Sequence, residues 1–229
     1  MMKAMTEDAT IHCAECPVAA AAAGNGGACP FIRRPRDRGD LVCTAGEPAL
    51  TIWFVARGAV VLSRTGAGEM HVDRARAVRR CGDFVGLEAL VRPTYLDSAR
   101  VTAPAILCGA GAAAIDRWLG PEGTPARMAL AQTLRTACEE PPRASRLDGT
   151  ALVRVAGWLV QEAERGGGAD VPRRYLAGVL GVVPETLSRV LARLGATGAV
   201  VVTRREVRIA DLDALRAIAG RPSRAGATP

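Results

Sequence analysis

Lysine is nearly missing from this chain. Of 30 basic residues in 229, only Lys3 is a lysine. A skew this uniform reads as a genome-wide bias, so no arginine gains a special meaning from not being lysine. Long apolar runs are missing too. No stretch approaches the roughly 18 uninterrupted apolar residues of a membrane span. The alanine-rich run from Val18 to Ala23 is short and lacks the charged n-region of a signal peptide. These absences predict a cytoplasmic protein with no membrane partner. Histidine is scarce, with only His12 and His71. Neither has a suitable metal-binding partner nearby, which argues against an enzyme built on histidines and carboxylates around a metal. Apolar residues are not scarce: they make up 49% of the chain, which excludes a disordered protein. The length suits two compact domains or one large one.

What is present is most informative near the C-terminus. Arg173 to Leu180 reads as a short helix, followed by a turn at Gly181-Val182-Val183. From Pro184 to Leu194 the pattern is again helical. Glu185, Ser188 and Arg189 fall three and four residues apart on one polar stripe. Leu187, Val190, Leu191 and Leu194 fall on the other side. Two helices joined by a glycine turn, the second with an acid, a hydroxyl and a guanidinium exposed, make a helix-turn-helix. In a DNA major groove, arginine can bind both acceptors of guanine, glutamate can accept from cytosine N4, and serine fits several base edges.

The next segments strengthen that reading. Ala199 to Thr203 and Glu206 to Ile209 read as two short strands with Arg204-Arg205 at the turn. This is a wing with a cationic tip suited to phosphate. From Asp170 onward there are ten arginines and five acids, so this region holds about +5 of the formal +7 charge. A winged helix-turn-helix that binds double-stranded DNA is the expectation.

Seven cysteines stand out in a chain expected in the cytoplasm. Disulfides are disfavoured there, so metal or redox chemistry is the better reading of a cluster. Cys13 and Cys16 form a C-x-x-C, and Cys29 follows across the glycines of residues 24–27. Pro17 and Pro30 are expected to stop a helix from forming through these residues. A zinc or iron-sulfur site needs a fourth ligand, for which Cys43, Cys81, Cys108 and Cys138 compete.

Between the ends lies a strand-rich segment, from Gly39-Asp40-Leu41-Val42-Cys43 to Ala105-Ile106-Leu107-Cys108. Six to eight short strands with glycine turns predict a small jelly roll. Thr124 to Glu140 predicts a helix with Leu130, Ala131, Leu134, Ala137 and Cys138 along one seam, stopped by Pro141-Pro142. Another helix is expected to start near Asp148. The fold class is therefore α+β, with four expected parts. Residues 1–38 are a cysteine-containing tail, 39–120 the β-roll, 121–145 a dimerisation helix, and 146–229 the winged helix-turn-helix. With two histidines, a jelly-roll enzyme of the cupin type is not expected.

This order of parts resembles the cyclic-AMP-receptor and fumarate-nitrate-reductase (CRP/FNR) regulators. The matching residues are Gly46, Gly58, Gly82-Asp83-Phe84-Val85-Gly86 and Glu185-Thr186-Leu187-Ser188-Arg189, within residues 39–218 plus the cysteine tail. The resemblance implies a homodimer formed along the seam of Leu130, Leu134 and Ala137. It implies a palindromic operator, and RNA polymerase as a further partner.

Cyclic-nucleotide binders of this family carry a Gly-Glu pair and an Arg-Ser pair. Here Leu87 follows Gly86, and Asp97 precedes Ser98. An aspartate repels a phosphate, and no obvious arginine replaces it, so no cyclic nucleotide is expected. Gly86-Leu87-Glu88-Ala89-Leu90 instead resembles the oxygen-sensing, FNR-type branch. That branch holds a [4Fe-4S] cluster, which by resemblance would sit on Cys13, Cys16, Cys29 and Cys108. Cys43 or Cys81 are the alternative fourth ligands. The alternatives within the same fold are haem, with His12 or His71 as axial ligand, and structural zinc or no metal. The gap from Cys16 to Cys29 is longer than in that branch, and the helix that normally follows the cysteine tail is expected to be missing. The DNA-binding residues expected are Glu185, Ser188 and Arg189 on the reading helix, with Arg204 and Arg205 on the wing.

Overall fold

A computed structural model describes residues 11–24, 27–65, 73–120, 124–139, 149–164, 172–203 and 207–220. The chain divides into two compact units, one within residues 8–142 and one within 143–229.

In the first unit, a 3-10 turn at Cys13–Glu15 leads into α1 (Pro17–Gly24). Eight strands follow: β1 (Ile32–Arg36), β2 (Leu41–Cys43), β3 (Thr51–Arg57), β4 (Ala59–Thr65), β5 (Asp73–Arg80), β6 (Phe84–Val85), β7 (Ser98–Val101) and β8 (Ala105–Gly111). They form two antiparallel sheets, ordered β1-β8-β3-β6 and β2-β7-β4-β5. This is the expected jelly roll. Trp53, Val55, Val60, Val101 and Leu107 fill the space between the sheets. The strand period of two sends Ile52, Phe54 and Ala56 to the opposite face of β3. That face is covered as well, by Val18 of α1, Phe31, Trp118 and Ile115. Burial on both faces explains why β3 is a continuous apolar run rather than an alternating one. Each large side chain buried there contributes roughly 1.5–3 kcal/mol.

Gly58, at φ +85°, turns β3 into β4 where an added Cβ would lie 2.8 Å from Cβ of Ala105. Gly86, at φ +81°, leaves room for Tyr95, whose hydroxyl donates to the Thr51 carbonyl at 2.7 Å. After β8 come α2 (Ala112–Trp118) and α3 (Pro125–Glu139). The Arg127 guanidinium donates to the carbonyls of Asp116 and Gly120 and to the Asp116 carboxylate, tying the start of α3 to α2.

No α-helix runs through Cys13, Cys16 or Cys29. Pro17 is the first residue of α1, where its missing N–H has no intrahelical partner to lose. The gap from Cys16 to Cys29 therefore contains a helix with Val18 and Ala22 buried, while none stands between Cys29 and β1. Two expectations need correction. First, residues 32–36, expected in the tail, form β1 and pair with β8 from Ile32↔Gly109 to Arg36↔Ala105. Three arginines and Pro35 hid this strand, and an edge position tolerates the proline. Second, Asp97 is not a bare negative charge. Arg64 Nε meets it at 2.9 Å and Arg76 Nη1 at 3.1 Å.

The second unit holds α4 (Ala151–Glu164), α5 (Arg173–Val179), α6 (Pro184–Ala196), β9 (Val200–Val202), β10 (Val207–Ile209) and α7 (Leu212–Ile218). Asp148, the expected helix cap, lies outside the described residues. Val155, Leu159, Leu176, Leu180, Leu187, Leu191, Leu194 and Leu215 are buried together with Val200. Pro184 opens α6 at its first turn, and Gly181, at φ +60°, makes the turn from α5. The Asp211 side chain accepts from the Ala214 N–H and caps α7, a helix absent from the expected elements.

Candidate thiol site and nucleic-acid interface

Cys13 ends up exposed in the 3-10 turn, and Cys16 lies half-buried at the foot of α1. Cys29 lies just before β1, and Cys108 lies on β8; both are half-buried. Cys16, Cys29 and Cys108 pack on one apolar cluster built from Val18, Phe54 and Ala56. Burial pushes the Cys108 thiol up, and the Arg33 guanidinium opposes the shift. The charges of Cys13, Cys16 and Cys29 push it further up. The three tail thiols thus lie within electrostatic reach of Cys108. Among the described residues, no group of three or more His, Cys, Asp or Glu side chains is close enough to hold a metal ion.

The tail is fastened beside this cluster. The Ile11 N–H donates to the Ala56 carbonyl at 2.8 Å, and Arg33 Nη1 donates to the Ile11 carbonyl at 3.4 Å. The Cys81 thiol donates to that same Ala56 carbonyl at 3.2 Å, and burial raises its pKa. Cys43 lies elsewhere, in the core between the sheets, where burial pushes its thiol up to about 12. A thiol so reluctant to ionise is a poor ligand. Burial also raises Cys138 on α3. All seven cysteines are free thiols. His12 is exposed, and His71 lies outside the described residues.

On α3, Leu130 and Leu134 are half-buried and Ala137 is exposed, so the seam is incompletely covered within the chain. Met128 on the same helix is 62% exposed.

In the second unit, α6 buries Leu187, Leu191 and Leu194 and exposes Glu185, Ser188 and Arg189. The amphipathic split read from the sequence is the one the helix adopts. The two wing strands pair antiparallel from Val200↔Ile209 to Val202↔Val207. Arg204 and Arg205 lie outside the described residues. One residue was missed by sequence reasoning. Arg173, the first residue of α5, donates through Nη2 to the Thr203 carbonyl at 2.7 Å. Nothing in the local pattern around either residue signals that contact.

Residues 153–218 match the family model of the Crp-like helix-turn-helix domain. The C-terminal unit contains a Crp-like helix-turn-helix domain. Solved structures extend the likeness over most of the chain. FixK2 from Bradyrhizobium japonicum is 21% identical, covers 85% of this chain and 99% of its own, and superposes with a TM-score of 0.66. TTHB099, a CRP-family transcriptional regulator from Thermus thermophilus, is also 21% identical. It covers 82% of this chain and 96% of its own, with a TM-score of 0.63. The c-di-GMP responsive regulator CLP of Xanthomonas campestris is 22% identical and covers 79% and 94%, with a TM-score of 0.56. No curated protein matches the sequence. At these identities the likeness establishes the fold: a jelly roll followed by a Crp-like helix-turn-helix domain, as in the CRP/FNR regulators. Among the described residues, no helix is long and apolar enough to cross a membrane.

Proposed function

We propose that this protein is a cytoplasmic, homodimeric DNA-binding transcription regulator of the CRP/FNR type, and that it responds to oxygen or nitric oxide through a [4Fe-4S] cluster. The observation that carries DNA binding is the exposed Glu185, Ser188 and Arg189 stripe within the matched Crp-like domain. The sensing half is supported by three tail thiols that act electrostatically on Cys108.

Cys13, Cys16, Cys29 and Cys108 would be the ligands. The donor chemistry fits: Cys16, Cys29 and Cys108 pack on one apolar cluster, and Cys13 lies within electrostatic reach of Cys108. When bound, such a cluster supplies reactivity toward oxygen and nitric oxide. Ile11 and Arg33 fasten the tail on the roll beside Cys108. A tail so braced would favour pairing of two chains along Leu130, Leu134 and Ala137 of α3. Pairing would present two α6 helices to a palindrome about one DNA turn apart. RNA polymerase is the further partner proposed. Release of the tail would reverse the sequence, a local event biasing a two-state assembly.

The roll is proposed to work without a cyclic nucleotide. The Asp97 carboxylate occupies the guanidinium groups of both Arg64 and Arg76, so neither cation is left without an anion. The colour of protein purified without oxygen tests the sensor. Brown supports iron-sulfur; a sharp Soret band indicates haem; a colourless protein indicates zinc or no metal, and overturns the cluster.

A further inference from the structure

Beside the reading helix, α6 and β9 border an open groove of about 590 Å³, whose lining includes Arg173, Ser188, Leu191, Gly195, Val200 and Val202. The wing beside it is short. β9 and β10 share only three residue pairs, and a two-stranded ribbon is marginal in water without tertiary support. One end of the ribbon is well anchored: Ala199 is buried, and its carbonyl accepts the N–H groups of Ala210 and Asp211 at 3.0 and 3.1 Å. At the other end stands Thr203, immediately before Arg204 and Arg205. There the Arg173 guanidinium reaches out from the start of α5 and donates to the Thr203 carbonyl at 2.7 Å.

We infer that Arg173 is a positioning residue for DNA binding: it fixes the outer end of β9 across the groove, so that the wing and the Ser188 side of α6 meet DNA as one surface. This rests on the DNA-binding reading above. Arg173 acts through the wing, by holding the Thr203 end of β9, and reads no base. A guanidinium suits the task because its planar fork donates to a carbonyl while its charge stays hydrated at an exposed site.

The test has two arms. The first needs no DNA. Hydrogen exchange of the β9 and β10 amides should quicken in Arg173→Ala, while amides of α4 around Leu159 keep their wild-type protection; Arg173→Lys should restore part of the difference. The second arm is a double-mutant cycle on a DNA palindrome selected by the wild-type protein. Arg173→Ala should weaken binding about fivefold, the worth of one ordinary hydrogen bond. In a background carrying Arg204→Ala and Arg205→Ala, the same change should cost less than about twofold, because the wing contact it supports is gone. Unchanged wing exchange, or a full fivefold loss in the wing-neutral background, would overturn the inference and make Arg173 at most a direct phosphate contact. Wild-type protein that selects no sequence at all would overturn the DNA-binding reading and this inference with it. Wild-type binding with an additive cycle removes only Arg173.

Discussion

Arg33 of β1 lies directly across the sheet from Cys108 of β8, and its guanidinium also donates to the carbonyl of Ile11 in the tail. One side chain thus touches both parts of the proposed sensor. It offsets the charge that gathers when thiols crowd Cys108, and it helps hold the segment that carries Cys13 and Cys16. Arginine at this position also explains how so charged a strand is tolerated: β1 is an edge, and its cations have specific work at its two ends. At the far end, Arg36 sits 5.3 Å above the Trp53 ring.

The ligand set follows from the gathered thiols. Anaerobic protein should show broad visible absorption and four iron per chain, as that cluster type requires. Cys13→Ala, Cys16→Ala, Cys29→Ala and Cys108→Ala should each abolish it, while Cys138→Ala and Cys43→Ala keep it. Iron content by chemical assay checks this. A full cluster in Cys108→Ala together with loss in Cys81→Ala would move the fourth ligand to Cys81, which lies against the same tail.

Alkaline stability should report Cys43. Its thiol titrates near 9.0 when unfolded and at about 12 when folded. The raised folded value means that its contribution is fully present below pH 9 and lost as pH rises toward 12. Three pK units bound the loss at about 4 kcal/mol. Stability to urea, followed from about pH 8 to about pH 11.5, should therefore fall steeply in the wild type and more gently in Cys43→Ala. Part of the alkaline slope should remain in that variant, since burial raises Tyr95 as well. Equal slopes in the two proteins would show that Cys43 is not the group responsible.

Assembly should depend on α3. Leu134→Glu places a charge in the middle of the seam and should convert the dimer to a monomer, weakening operator binding. Sedimentation velocity checks it; a stable dimer from this variant would take the seam out of the mechanism.

Sequence preference should follow α6. Pro184 precedes Glu185 and has no side-chain donor, where cyclic-AMP receptors carry an arginine that reads an extra guanine. By resemblance to the oxygen-sensing branch, the expected palindrome is close to TTGAT-N4-ATCAA rather than one built on TGTGA. Arg189→Ala should cost roughly 1–3 kcal/mol and relax preference at the guanine it contacts. Arg204→Ala or Arg205→Ala should weaken binding to all sequences and flatten its salt dependence. Selection of bound DNA without oxygen decides between the palindromes, and recovery of TGTGA half-sites would reassign the reading.

The amino-acid sequence by itself determined the elements whose physics is local. The stripe of Glu185, Ser188 and Arg189 opposite Leu187, Leu191 and Leu194 is a property of helical period, and α6 adopts it unchanged. The same is true of the strands β2 to β5, β7 and β8, and of the glycine turns between them. What only the tertiary structure decided are contacts made across long separations. Ile32–Arg36 has no local strand signal; it becomes β1 because β8 offers an open edge, so pairing outweighs propensity. Pro17 begins α1 just after Cys16, and only the tertiary structure shows that Val18 of this helix gains a buried face on the roll. The approach of Cys13, Cys16 and Cys29 to Cys108 joins residues far apart in the chain and depends on where β1 and α1 place the tail. Asp97 looks isolated in sequence, yet β4 and β5 bring Arg64 and Arg76 to it. Local periodicity carries no term for such pairs, since their energy arises only once the sheets have closed around them.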